Sequence, residues 1–89
     1  MMVKLTVGEI KLLNESIKRA RGSGGFQNLL LHLWYHLDEN SGELEIPYVL
    51  LERIPRYALA YGNAHWRKIL RSIFRRTLGV NLDRGLTLR

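Results

Sequence analysis

Four stretches of this 89-residue sequence repeat apolar side chains at spacings of three and four, and each ends in a turn containing glycine. That pattern restricts the chain to a small helical domain. The first stretch carries Ile10, Leu13, Ile17 and Ala20. Thr6 is placed to cap it, with Glu9 three residues on to complete a capping box, and Gly22-Ser23-Gly24-Gly25 ends it. The second opens near Gly25 or Phe26 and presents Phe26, Leu29, Leu30, Leu33, Trp34 and Leu37, widened by Leu31 and Tyr35. This breadth predicts the central helix, closed by the polar turn at residues 38–42. The third shows Tyr48, Leu51, Ile54, Ala58 and Tyr61, with Pro47 suited to its first turn. Pro55 interrupts it, so a kink or two short helices meeting near Ile54 are expected. The fourth is predicted over residues 64–78, where Trp66, Ile69, Leu70, Ile73, Phe74 and Leu78 form one face and Gly79 stops it.

Two short segments alternate instead. Glu43-Leu44-Glu45-Ile46 reads as a strand, and residues 80–88 alternate around Asp83-Arg84-Gly85. The second segment predicts either a C-terminal hairpin or a pairing of residues 86–88 with residues 44–46. The expected fold is therefore mainly α: a compact four- or five-helix domain with a short β pairing or C-terminal hairpin. Its second half is helix-turn-helix-like. At this length a single core serves the whole chain, residues 1–89. An offset of 40 aligns Ala20 through Phe26 with Ala60 through Trp66, and the following apolar positions agree in kind. This suggests a weak internal repeat of helix-turn-helix units near 7–37 and 47–78. Any two such units share that much, and the period does not extend to a solenoid.

Charge is unevenly placed. The chain has 14 lysines and arginines against 8 aspartates and glutamates, a net charge of +6. Residues 1–50 carry five basic and six acidic side chains, and residues 51–89 carry nine and two. Such asymmetry favours an electropositive face and an anionic partner. The excess concentrates on the fourth helix, where Arg67, Arg71 and Arg75 stand four residues apart with Lys68 and Arg76 beside them. No acidic residue lies within residues 66–78, so i,i+4 ion pairing on the helix itself does not neutralise them. Arginine suits bidentate contact with phosphate or guanine. Arg53 and Arg56 precede the Gly62-Asn63 turn and are placed to reach phosphates. Asn63 and His65 at the turn are placed for backbone or base-edge contact.

These residues suggest noncatalytic binding of nucleic acid, foremost duplex DNA through residues 66–78, in a regulatory role. The alternatives are a helical interaction module for an acidic protein, or an RNA-binding accessory protein. A solvated charged face, or pairing with acids on another element, is the plain explanation to set against all three. With 46% apolar types, a homodimer is a further expectation.

Other chemistries find little support. The chain has no cysteine, which excludes disulfides, a thiol nucleophile and cysteine-ligated metals. His32 and His36 share a helix side, but without a glutamate between them the metalloprotease pattern is missing. Ordinary histidines explain them more simply than a metal site, and no metal or other cofactor is expected. The glycine-rich 22–25 turn follows a helix rather than a strand and lacks the lysine and hydroxyl residue of a nucleotide loop. A helix connector accounts for it better than an anion site. The serines and carboxylates form no catalytic grouping, so an enzyme is not expected. Phe26, Trp34, Trp66 and Phe74 fit core stripes, with Tyr35, Tyr48, Tyr57 and Tyr61 at the rim, rather than an exposed stacking platform. No apolar run reaches the roughly 18–20 residues that span a membrane. Met1-Met2-Val3-Lys4-Leu5 does not open a secretory signal. Cytoplasmic residence without a membrane partner is the expectation.

Overall fold

A computed structural model describes residues 1–60, 63–79 and Leu82. The elements run β1 (Met2–Lys4), α1 (Val7–Arg19), α2 (Gly25–Tyr35), β2 (Glu43–Glu45), α3 (Tyr48–Pro55), a π-helical turn (Arg56–Ala60) and α4 (Ala64–Leu78). α1 starts as its capping box requires. The Glu9 amide donates to Thr6 Oγ1 at 3.1 Å, and the Thr6 amide donates to Glu9 Oε1 at 2.9 Å. Two of the unpaired amides of the first turn are thereby satisfied.

α2 is shorter than its apolar pattern implies. It closes at Tyr35 with His36 as the cap, and Leu37 instead forms an antiparallel bridge to Leu44. Pro47 is the N-cap of α3 rather than a residue of its first turn. Pro55 ends α3, and the chain widens there into the π-helical turn. A proline ring collides with the carbonyl four residues back and has no amide to offer it, so a wider turn relieves the conflict.

The strand expected at residues 43–46 forms over Glu43–Glu45, and its partner within the described residues is the N-terminal β1. Met2 pairs with Glu45, Val3 with Leu44 and Lys4 with Glu43, antiparallel. The alternation is complementary, because Val3, Leu5, Leu44 and Ile46 are all buried while Met2, Lys4, Glu43 and Glu45 are exposed. The pairings expected of residues 80–88 lie outside the described residues. Gly42 makes the return to β2 feasible. It adopts φ +81°, and a Cβ there would stand 2.5 Å from the Leu5 carbonyl oxygen. Only glycine tolerates both.

The helices close a ring. α1 packs on α2 and on α4, α3 packs on α2, and the π-helical turn packs on α4. Leu13, Leu29, Leu33, Ile54, Ile73 and Phe74 are fully buried at its centre. Phe26 and Trp66, equivalent under the offset of 40, stack with ring centres 4.9 Å apart and planes 13° apart. Tyr57 tilts against both, at 5.9 and 5.5 Å. Trp34 and Trp66 are half-buried, and Tyr35 and Tyr48 are exposed. The result is a compact, mainly helical domain, helix-turn-helix-like in its second half, with four α-helices and a short two-stranded antiparallel sheet among the described residues. Among the described residues no helix is long and apolar enough to cross a membrane.

Candidate nucleic-acid interface

α4 carries the site because one side of it is anchored. Leu70, Ile73, Phe74 and Leu78 are buried and Trp66 and Ile69 pack against the core, which fixes the helix axis and leaves Arg67, Lys68, Arg75 and Arg76 exposed. Its first turn is capped by Asn63, whose Oδ1 accepts from the amides of His65 at 3.0 Å and Trp66 at 3.1 Å. The side chain expected at a base edge is thus engaged in holding α4.

Arg67, Lys68, Arg71, Arg75 and Arg76 line one open groove of about 690 Å³, together with Ala64, Ser72 and Glu9. Arg67, Lys68 and Arg75 are exposed and Arg71 is half-buried. Successive arginines of the 67–71–75 row are separated by about 6 Å along the helix axis. Positions 53 and 56 do not line this groove. Arg56 is exposed on the π-helical turn. Arg53 closes α3 onto the start of α2, donating to the Gly25 carbonyl at 3.1 Å and to Asn28 Oδ1 at 3.4 Å, with its guanidinium 5.8 Å from the Tyr57 ring centre.

Arg76 is committed within the domain. Its Nη2 donates to Glu9 Oε1 at 2.7 Å, its Nε donates to Glu9 Oε2 at 3.2 Å, and Nη2 also reaches the Lys4 carbonyl. Burial pushes the Glu9 carboxyl pKa up, but the hydrogen bonds from Arg76 and Thr6 and the guanidinium charge outweigh it. The net position is below the usual glutamate value. The hydrogen bond to Glu9 in turn raises the Arg76 pKa. One carboxylate therefore caps α1, ties α4 to α1, and puts a negative charge at the edge of a cationic groove, while the Arg76 guanidinium also ties α4 to β1.

Glu9 is the residue that the chain pattern missed as part of this site. The capping box announces its first task, but no local spacing announces an arginine 67 positions away. His32 lies on α2 and His36 caps its C-terminus, and neither lines this groove. His36 stands edge-on to Tyr35. Among the described residues no three histidine or carboxylate side chains converge on a metal position. The glycine-rich 22–25 turn serves as a connector, with Gly22 and Gly24 at positive φ and the Gly22 amide donating to Gln27 Oε1. Compared with protein-family models, with characterised proteins and with solved structures, the chain matches none.

Proposed function

We propose that the protein is a noncatalytic, regulatory nucleic-acid-binding protein of the cytoplasm that takes duplex DNA on the outward face of α4. The observation that carries this reading is the row Arg67, Arg71 and Arg75, with Lys68, on a helix whose opposite side is locked in the core. Helical order supports it, since α3 and its π-helical extension precede α4 as a supporting helix precedes a recognition helix. Arginines held at fixed intervals can meet successive phosphates with bidentate hydrogen bonds and little loss of side-chain freedom. Lys68 adds a compact charge, and Arg56 extends the cationic surface beyond α4. Arg76, Arg53 and Asn63 act by positioning: they hold α4 on α1, α3 on α2, and the first turn of α4.

Fluorescence anisotropy with labelled duplex DNA across a salt series tests the reading. Neutralising four phosphates with Arg67, Lys68, Arg71 and Arg75 gives an expected slope of log K against log salt of about −3.6. Arg71→Glu combined with Arg75→Glu removes binding while the helical circular dichroism stays unchanged. Retained affinity in that double variant, or affinity indifferent to salt, refutes the assignment. Preference for structured RNA or an acidic polypeptide over DNA in competition would replace duplex DNA with that partner.

A further inference from the structure

Away from the cationic groove, α2 and α3 leave apolar side chains in water. Tyr35 is 83% exposed, Tyr48 68%, Val49 61% and Leu31 45%. Leu31, His32, Tyr35 and His36 stand at helical spacings and line one open cleft of about 470 Å³. All four come from α2 and its cap, so the cleft is relief on a helix surface rather than an enclosed cavity. Such relief suits the side chains of another helix better than a small molecule.

α3 extends this face. It packs on α2 and runs against it. Near its end Arg53 bonds the Gly25 carbonyl and Asn28 at the start of α2, and just before its start the Glu45 amide meets the His36 carbonyl. Tyr48 and Val49 therefore stand beside the C-terminal half of α2. None of these six residues lines the groove on α4, and none carries a permanent charge.

We infer that the α2–α3 face is a twofold interface with a second copy of this chain, the two α2 helices crossing antiparallel at His32. The four exposed apolar residues offer on the order of 500 Å². A standard interface buries about 800 Å² on each partner, and in homodimers about 65% of that is apolar, so this face supplies the apolar share of one side. Its makeup also fits, since interface centres favour tyrosine and are poor in charged residues. A twofold interface sets a surface against itself, so a charged centre would repel its twin. The arginine row of α4 fails that condition and the α2–α3 face meets it.

The ends of the face carry opposite charge. Arg53 and Arg56, with Glu52, mark the end at the start of α2, and the exposed Asp38 and Glu39 mark the other. A twofold axis near His32, between those ends, exchanges them. Each basic end then meets the acidic end of the other copy, whereas parallel helices would set like against like. Both grooves on α4 stay open in such a dimer, because the two surfaces share no residue.

Sedimentation velocity without nucleic acid tests this, so its failure leaves the α4 reading untouched. The chain is expected to form a dimer within a series from about 1 μM to about 1 mM. Leu31→Glu combined with Tyr35→Glu, at exposed helix positions, is expected to raise the dissociation constant at least about a hundredfold with helical circular dichroism unchanged. If that variant fails to fold, Tyr35→Ala is expected to weaken the dimer about thirtyfold. The absence of cysteine makes the axis testable as well. Identical positions form a disulfide only where their Cα atoms come within about 7 Å. His32→Cys is therefore expected to couple to its twin under mild oxidation, and Glu39→Cys at the rim is not. A chain that stays monomeric to about 1 mM overturns the inference and leaves the face to a partner of another sequence. A dimer indifferent to the α2 substitutions overturns it too. Coupling through Glu39→Cys but not His32→Cys does the same, since the copies would then meet in another arrangement.

Discussion

Gly25, the first residue of α2, packs directly against Tyr57 of the π-helical turn. Its carbonyl accepts the Arg53 guanidinium, and a β-carbon built on it would overlap Tyr57 Oη, with Tyr57 Cζ at 3.3 Å. Its φ is not among the positive ones, so the restriction is steric rather than conformational. Gly25→Ala therefore separates two opposing effects. Alanine favours a helix over glycine by about 0.5–1 kcal/mol. Overpacking an aromatic contact that also involves Phe26 and Trp66 costs about 1–3 kcal/mol. The expected net loss is about 1–2 kcal/mol, or roughly 4–8 °C in Tm for each kcal/mol in a domain this small. Tyr57→Phe removes the overlapping oxygen and leaves the ring carbon at 3.3 Å, a distance that a small ring shift accommodates. In that background Gly25→Ala is expected to be neutral or stabilising, giving a coupling of about 1–3 kcal/mol across a double-mutant cycle read by urea denaturation. If Gly25→Ala costs as much in the Tyr57→Phe background as in the wild-type protein, the hydroxyl is not the obstacle and the packing argument fails.

Two other substitutions test how α4 is held. Glu9→Gln retains an oxygen for the Thr6 amide while removing the charge opposite Arg76. Because the folded Glu9 pKa lies below its unfolded value of about 4.3, its contribution is complete above that pH and lost as pH falls through the lower, folded value. The wild-type urea midpoint should therefore fall more steeply below about pH 4.3 than that of Glu9→Gln, and parallel losses would exclude Glu9 as an acid-sensitive tie. Asn63→Ala should cost about 1 kcal/mol by leaving the His65 and Trp66 amides without their cap. Asn63→Ser should restore both stability and DNA affinity, whereas restored stability without affinity would assign Asn63 a direct contact.

Much of the fold is legible because its causes are local. Thr6 and Glu9 lie within one turn, so the capping box can be read directly. The stripes of α1, α2 and α4 follow from helical periodicity, and the proline at 55 announces a break in its own neighbourhood. The form of that break, a π-helical turn, is less legible, since a proline says that a hydrogen bond is lost but not how the backbone recovers. β1 escapes detection for another reason. Three alternating residues are too few to count as a strand until Leu44 lies opposite Val3. The candidate site divides in the same way. The row of arginines on α4 is a matter of spacing, whereas the tasks of Arg53, Asn63 and Arg76 depend on which atoms of distant residues or neighbouring amides come within hydrogen-bonding reach.

The sequence by itself determined four helical segments, the cap of the first, and a cationic face backed by an apolar one, because each depends on residues three or four positions apart. Only the tertiary structure decided what that face contains. Packing α4 against α1 and β1 brought Glu9 and the Lys4 carbonyl to Arg76, and so set a carboxylate and a tied guanidinium at the arginine-lined groove. Those contacts join residues dozens of positions apart, and which of them form depends on how the cores of separate helices interlock rather than on the pattern of any one helix.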